Sequence, residues 1–281
     1  MQHLFNEEYY MKKEFDLKKI IDQLSDIEWL KESQDYLKSE ENLKRCEPFE
    51  KLNQKYITLQ NKYSNLYPEL SKNVESNVYR REYAKGGINL HRGFYSPSSM
   101  DLVTKNYTRG RLLKKPPKNN NYNYEYLFDI QNKLISVYSY SNFEGITKLA
   151  TTELFVYKQN TVLSLIFNSD NSHGLSFISE CQYHNSVLTR YENAICELFY
   201  GGKGCTEINV ETYQYESSLL SSFCWYNYMP CIHALTQREY SLNRDEKGYF
   251  STYSVNETNG LNTKKNFNHG ILVNKVNTKR K

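Results

Sequence analysis

Five glutamates, Glu125, Glu153, Glu180, Glu211 and Glu239, stand 28, 27, 31 and 28 residues apart. An aromatic or apolar residue follows each three or four positions on: Phe128, Tyr157, Tyr183, Tyr215 and Leu242. A polar turn comes next, then an apolar run opening at Leu134, Leu163, Leu188, Leu220 and Tyr249. A recurrence of this length marks one supersecondary unit copied along a chain. Each half alternates and is rich in Tyr, Phe, Val and Ile, so the predicted unit is a β-hairpin. Consecutive hairpins with short links pair with their neighbours, which predicts an antiparallel meander over residues 122–259.

Within the units the alternation assigns faces. In TELFVY, Glu153, Phe155 and Tyr157 share one side of the strand, and in VETYQY so do Glu211, Tyr213 and Tyr215. The third unit, SECQY, sets Tyr183 one residue nearer its Glu, so a shifted register or a bulge is expected there. Short polar turns are read at Lys158 to Thr161, His184 to Ser186 and Glu216 to Ser218.

The chain before the hairpins has a different period. Leu17, Ile20, Ile21, Leu24, Ile27 and Leu30 predict an amphipathic helix over 15–38. Phe49, Leu52, Tyr56, Leu59, Tyr63, Leu66 and Leu70 follow a heptad spacing, with Pro68 predicting an end or kink near Tyr67. Polar residues 38–48 read as their connection. The fold class expected is therefore α+β: an N-terminal helical hairpin (1–75), a basic loop-rich segment (76–121), the hairpin domain (122–259) and a basic, solvated tail (260–281).

Charge divides along the same boundaries. Residues 1–79 carry a net −3, residues 80–118 carry +8, residues 122–259 carry −7 and residues 260–281 carry +6. An acidic body beside basic segments pairs with itself or with a basic partner. No apolar run is long enough for a transmembrane helix. The start, MQHLFNEEYYMKKEF, has no apolar core and carries acids early, so no secretory signal is expected. Six cysteines without such a signal then read as reduced cytoplasmic thiols.

The stretches YLFDIQNKLIS, FVYKQNTVLS and YQYESSLLS share a Tyr-x-Phe/Tyr, turn, Leu-x-Ser plan. This plan resembles the YD or RHS repeat of bacterial toxin systems over about 125 residues, Phe128-Asp129 standing where that family has Tyr-Asp. Later units replace the Asp by Lys158, His184 and Glu216, and the family's turn Gly is missing. The resemblance implies a small intracellular bacterial protein of the kind encoded beside polymorphic toxins, some of which are immunity proteins. It transfers no catalytic or binding residue, because the repeated motif is structural.

A search for chemistry finds no G-x-S-x-G, P-loop, dinucleotide fingerprint or H-E-x-x-H. Cys181 with His184 and Cys231 with His233 are the close Cys/His pairs, without a CxxC, so neither a metal nor a cofactor is expected. The leading expectation is a non-enzymatic protein-binding module, an immunity-type inhibitor capturing a basic partner such as a toxin domain through Glu153, Tyr157, Glu211, Tyr213 and Tyr215. The alternative is a nucleic-acid-binding protein using segment 80–118, with Arg80, Arg81, His91, Arg92, Arg109 and Arg111 interleaved with aromatics. In that case the competing role of those arginines is to pair with the acidic hairpins. An enzyme with a dispersed site is the third reading.

Overall fold

The computed structural model describes residues 34–86, 98–100, 111–115, 122–143, 146–169, 174–196, 204–246, 250–258 and 264–271. Among the described residues, helices α1 (Glu40–Tyr63) and α2 (Tyr67–Asn77) precede the strands. Strands β1 (Arg80–Lys85) and β2 (Arg111–Leu113) precede the run β3 (Tyr124–Phe128), β4 (Leu134–Phe143), β5 (Ile146–Tyr157), β6 (Thr161–Asn168), β7 (Leu175–His184) and β8 (Val187–Cys196). The run continues with β9 (Cys205–Glu216), β10 (Leu219–Met229), β11 (Ala234–Arg244), β12 (Phe250–Thr258) and β13 (Lys264–Ile271).

All thirteen strands lie in one sheet, β3 to β13 in sequence order, with β1 beside β3 and β2 beyond it. Every pairing is antiparallel. The meander follows the sequence expectation, and each of the five glutamates sits on the first strand of a hairpin, on β3, β5, β7, β9 and β11. The basic segment is not separate from it, since Tyr83 of β1 pairs with Glu125 of β3. The 260–281 stretch, read as a solvated tail, instead supplies β13, which pairs with β12 from Thr258–Lys264 onward. Alternation in KKNFNHGI was masked by its lysines, which suit an edge strand.

The helix expected over 15–38 lies outside the described residues except for 34–38, of which 34–37 are helical. The connection expected at 38–48 is corrected: it forms the first turns of α1, capped by Ser39, whose Oγ accepts from the Asn42 amide at 3.2 Å. Pro48 is inside α1. Its missing N–H would have met the carbonyl of Lys44, and both residues are on the solvent side, where water can serve that oxygen. Tertiary contacts hold the helix on either side: Asn42 Nδ2 donates to the His233 carbonyl at 2.8 Å, and Tyr228 donates to Glu50. Pro68 acts as the sequence suggested, with α1 ending at Tyr63 and Pro68 opening α2.

The heptad stripe packs on one face of the sheet. Tyr56 and Tyr63 are buried, with Phe49, Leu52, Leu59 and Leu66 packed around them, against Leu154, Leu163, Leu165, Ile178, Ile208 and Val210. Polar groups reach across as well. Lys55 Nζ lies 3.0 Å from Glu180 and 2.8 Å from Glu192, cross-strand partners on β7 and β8, and Arg190 Nε is 2.5 Å from Glu192. Burial alone would raise the Glu192 pKa, but these two cations hold it below the usual carboxylate range.

The opposite face carries its own apolar cluster. Tyr213, Phe223, Tyr240 and Tyr253 form an aromatic row across β9 to β12, with Phe223 and Tyr240 stacked at 4.5 Å. The five glutamates do not share a face. Glu125, Glu180 and Glu239 point to the helical side, and Glu153 and Glu211 to the other. In the third hairpin the register shifts between Gln182 and Tyr183, where the shorter Glu-to-Tyr spacing predicted an irregularity.

Candidate functional site

The expected contact residues divide by burial. Glu153 is half-buried on β5, with Ser164 Oγ donating to it at 2.5 Å. Tyr157 and Tyr215, also half-buried, donate their hydroxyls to the carbonyls of Leu134 (2.6 Å) and Leu188 (2.8 Å). In both cases the tyrosine reaches the first residue or two of the preceding hairpin's second strand, so it latches one hairpin to the next. Arg244 Nη2 does the same to the Leu220 carbonyl at 2.9 Å. Tyr213 and Glu211 are buried, not displayed.

Glu211 is 1% exposed, and residues 98–100 account for it. Ser98 Oγ donates to Oε1 at 2.5 Å, while the amides of Ser99 (2.7 Å) and Met100 (3.3 Å) and the Tyr213 hydroxyl (2.9 Å) donate to Oε2. Residues 98–100, of which 99 and 100 are helical, are thus fastened to β9 by one carboxylate and form a strap on it. Burial pushes the Glu211 pKa up to about 7, although its four donors all pull the other way.

Two of the five arginines of the alternative reading, Arg80 and Arg81, are engaged within the fold. Arg81 bridges Glu125 at 2.6 Å and Glu75 at 2.8 Å. Arg80 lies over the Phe128 ring at 4.0 Å and pairs with Glu82. Arg111 is exposed on β2, whereas His91, Arg92 and Arg109 lie outside the described residues. Of the Cys/His pairs, Cys181 is buried and His184 exposed beside a turn; Cys231 is exposed, and His233 Nδ1 lies 3.1 Å from Glu50. Among the described residues no group of three or more His, Cys, Asp or Glu is arranged to hold a metal.

Beside the strap a pocket of ≈ 210 Å³ opens on β8, β9 and β10. Two carboxylates line it, Glu207 and Glu211, along with the amides of Asn193 and Asn209. Phe177, Tyr191 and Trp225 supply aromatic surface, and no basic side chain is among its described lining. Period two on β9 produces this arrangement, because Glu207, Asn209, Glu211 and Tyr213 must share a face. Asn193, Asn209 and Asn227 are direct cross-strand partners and form a ladder, Asn227 Nδ2 donating to Asn209 Oδ1 (3.0 Å) and Asn209 Nδ2 to Asn193 Oδ1 (3.1 Å). Asn209 Nδ2 also donates to Glu207 Oε1 at 2.7 Å.

Sequence reasoning found Glu211 in this group and missed Glu207, the asparagines and Trp225. The alternation E-x-N-x-E-x-Y at 207–213 was a visible signal. The asparagine ladder was not, since its members come from three strands whose register is set by bulges. Chemically, the pocket offers hydrogen-bond acceptors, negative charge and ring faces. No protein-family model matches this sequence, and no curated protein matches it significantly.

Proposed function

We propose that this chain is a non-enzymatic binding protein that captures a basic protein, in the manner of an intracellular immunity-type inhibitor of a toxin domain. The observation that supports this reading most is the pocket on β8–β10, where Glu207 and Glu211 stand among aromatic rings and amides without a basic side chain in the described lining. Such a surface attracts cations and gains from rigid aromatic contact. The carboxylates elsewhere are mostly spent on the fold: Glu125 on Arg81, Glu180 and Glu192 on Lys55, and Glu257 on Arg238 at 2.6 Å. Glu207 has no ion pair among the described residues, so its charge is available to a partner. Glu211 and Tyr213 serve the strap, and Glu207 takes their place in the recognition surface.

The test is co-expression with a basic toxin domain encoded beside this gene. Growth should be restored and a stoichiometric complex should co-purify, with Glu207→Lys weakening both. Undiminished toxicity together with no complex would overturn the reading.

A further inference from the structure

We propose that the pocket between β8, β9 and β10 receives one peptide-linked arginine, its guanidinium against Glu207 and its main-chain carbonyl on Asn193. This deepens the binding-protein reading above and rests on it for the nature of the partner. Four features of the pocket lead to it.

The first is Glu207. Its carboxylate is half-buried and accepts one hydrogen bond, from Asn209, although an ionised carboxylate can accept about four. The second is charge: the described lining holds no cation to balance Glu207, and Glu211, bonded to the strap's neutral donors, adds negative potential once pH rises above 7. A cation entering here meets Glu207 and displaces no resident cation of the described lining.

Third, ring faces favour guanidinium over ammonium, because the planar group is weakly hydrated and stacks on aromatics. The fold already uses this contact at Trp225, where Arg238 lies 5.2 Å from the ring while tied to Glu257. Fourth, Asn193 is 8% exposed and lines the pocket. The ladder runs from Asn227 through Asn209 to Asn193 Oδ1, so the Asn193 amino group at its end is a donor that a ligand carbonyl in the pocket can use. A ligand with both a cation and a carbonyl satisfies Glu207 and Asn193 together, which an isolated alkylguanidine does not. The volume of ≈ 210 Å³ leaves room for a side chain of arginine's size.

The probe is N-acetyl-arginine amide, with N-acetyl-citrulline amide as its neutral isostere and a methyl pyranoside as a polyol control. Binding is followed by the side-chain amide resonances of Asn193 and the indole resonance of Trp225 in the full chain. The arginine probe should shift both saturably, with the citrulline probe at least tenfold weaker. Glu207→Gln should lose at least tenfold, while Glu216→Gln, outside the pocket, should bind as wild type; melting curves confirm that both variants fold. Equal binding of citrulline, an unaffected Glu207→Gln, or preferential binding of the pyranoside would overturn the proposal. A chain that captures its protein partner yet ignores the arginine probe would overturn this inference alone. Saturable, charge-dependent arginine binding would uphold it even if the toxin partner proved wrong.

Discussion

Glu211 is 1% exposed, and its one carboxylate gathers four hydrogen-bond donors. Its position among the regularly spaced glutamates marked it as special, and alternation placed it beside Tyr213 and Tyr215. Its burial was illegible, because the donors at residues 98–100 arrive from more than a hundred positions earlier. That burial has a measurable consequence. Since the Glu211 pKa is raised from 4.5 to about 7, the folded chain holds this proton more tightly than the unfolded chain does. Its contribution to stability is therefore full below pH 4.5 and is lost as pH rises through 7. Glu211→Gln keeps the shape, donating to the Ser98 hydroxyl and accepting from Ser99, Met100 and Tyr213. Relative to this variant, wild type should lose on the order of 3 kcal/mol between pH 4.5 and 8 in denaturant titrations. Parallel stability curves for the two proteins would show that Glu211 does not ionise in place.

At the scale of elements, hairpins were legible because their evidence is local: period-two alternation and polar turns. The turn chemistry was only half visible. Asn185 and Ser186, and Ser217 and Ser218, all have positive φ, between 49° and 66°, as a two-residue I′ turn requires. Serine is a poor choice for that region, so the sequence lacked the Asn-Gly signal that normally announces it. The first hairpin solves the problem differently: Asp129 Oδ1 accepts from the amides of Gln131 (2.9 Å) and Lys133 (2.8 Å), which accounts for the Asp of its Phe-Asp pair. Replacing Ser217-Ser218 by Asn-Gly should raise stability by about 1 kcal/mol without altering register, read as a shift in denaturation midpoint at constant slope. A loss of stability would mean that those serines make contacts the turn needs.

Helix α1 carries a second expectation at this scale. The heptad stripe was read correctly as a packing face, while its start was missed because Pro48 resembled a boundary. Leu59 is half-buried against the helical-side core, so Leu59→Asp should cost about 2 kcal/mol through lost apolar contact and partial desolvation of the charge, measured by thermal or denaturant unfolding. An unchanged midpoint would place that leucine outside the cooperative core.

Across the whole molecule, the division of charge by segment was plain in the sequence, but its meaning required the sheet. Two of the basic-segment arginines, Arg80 and Arg81, meet Glu82, Glu75 and Glu125, so part of the segregation is resolved within the fold. Strands β1, β2 and β13 extend the sheet beyond the region where alternation is evident; β2 and β13 lie at its edges, where backbone pairing does not need an apolar pattern on both faces. The pocket joins residues of two neighbouring hairpins and of the 98–100 strap that no linear motif connects. It leaves Glu207 without an internal ion pair among the described residues, next to rings that suit a protein partner.

The central claim, capture of a basic protein by this acidic and aromatic face, is tested most directly by stopped-flow association with the co-purified toxin domain at increasing salt. Steering by charge predicts that the association rate of wild type falls steeply between 0.01 and 0.15 M ionic strength, roughly where the screening length shrinks from about 30 to 8 Å. Dissociation, governed by the desolvated contacts, should change much less, and Glu207→Lys should flatten the salt dependence and slow association. An association rate indifferent to both salt and Glu207→Lys would contradict the account.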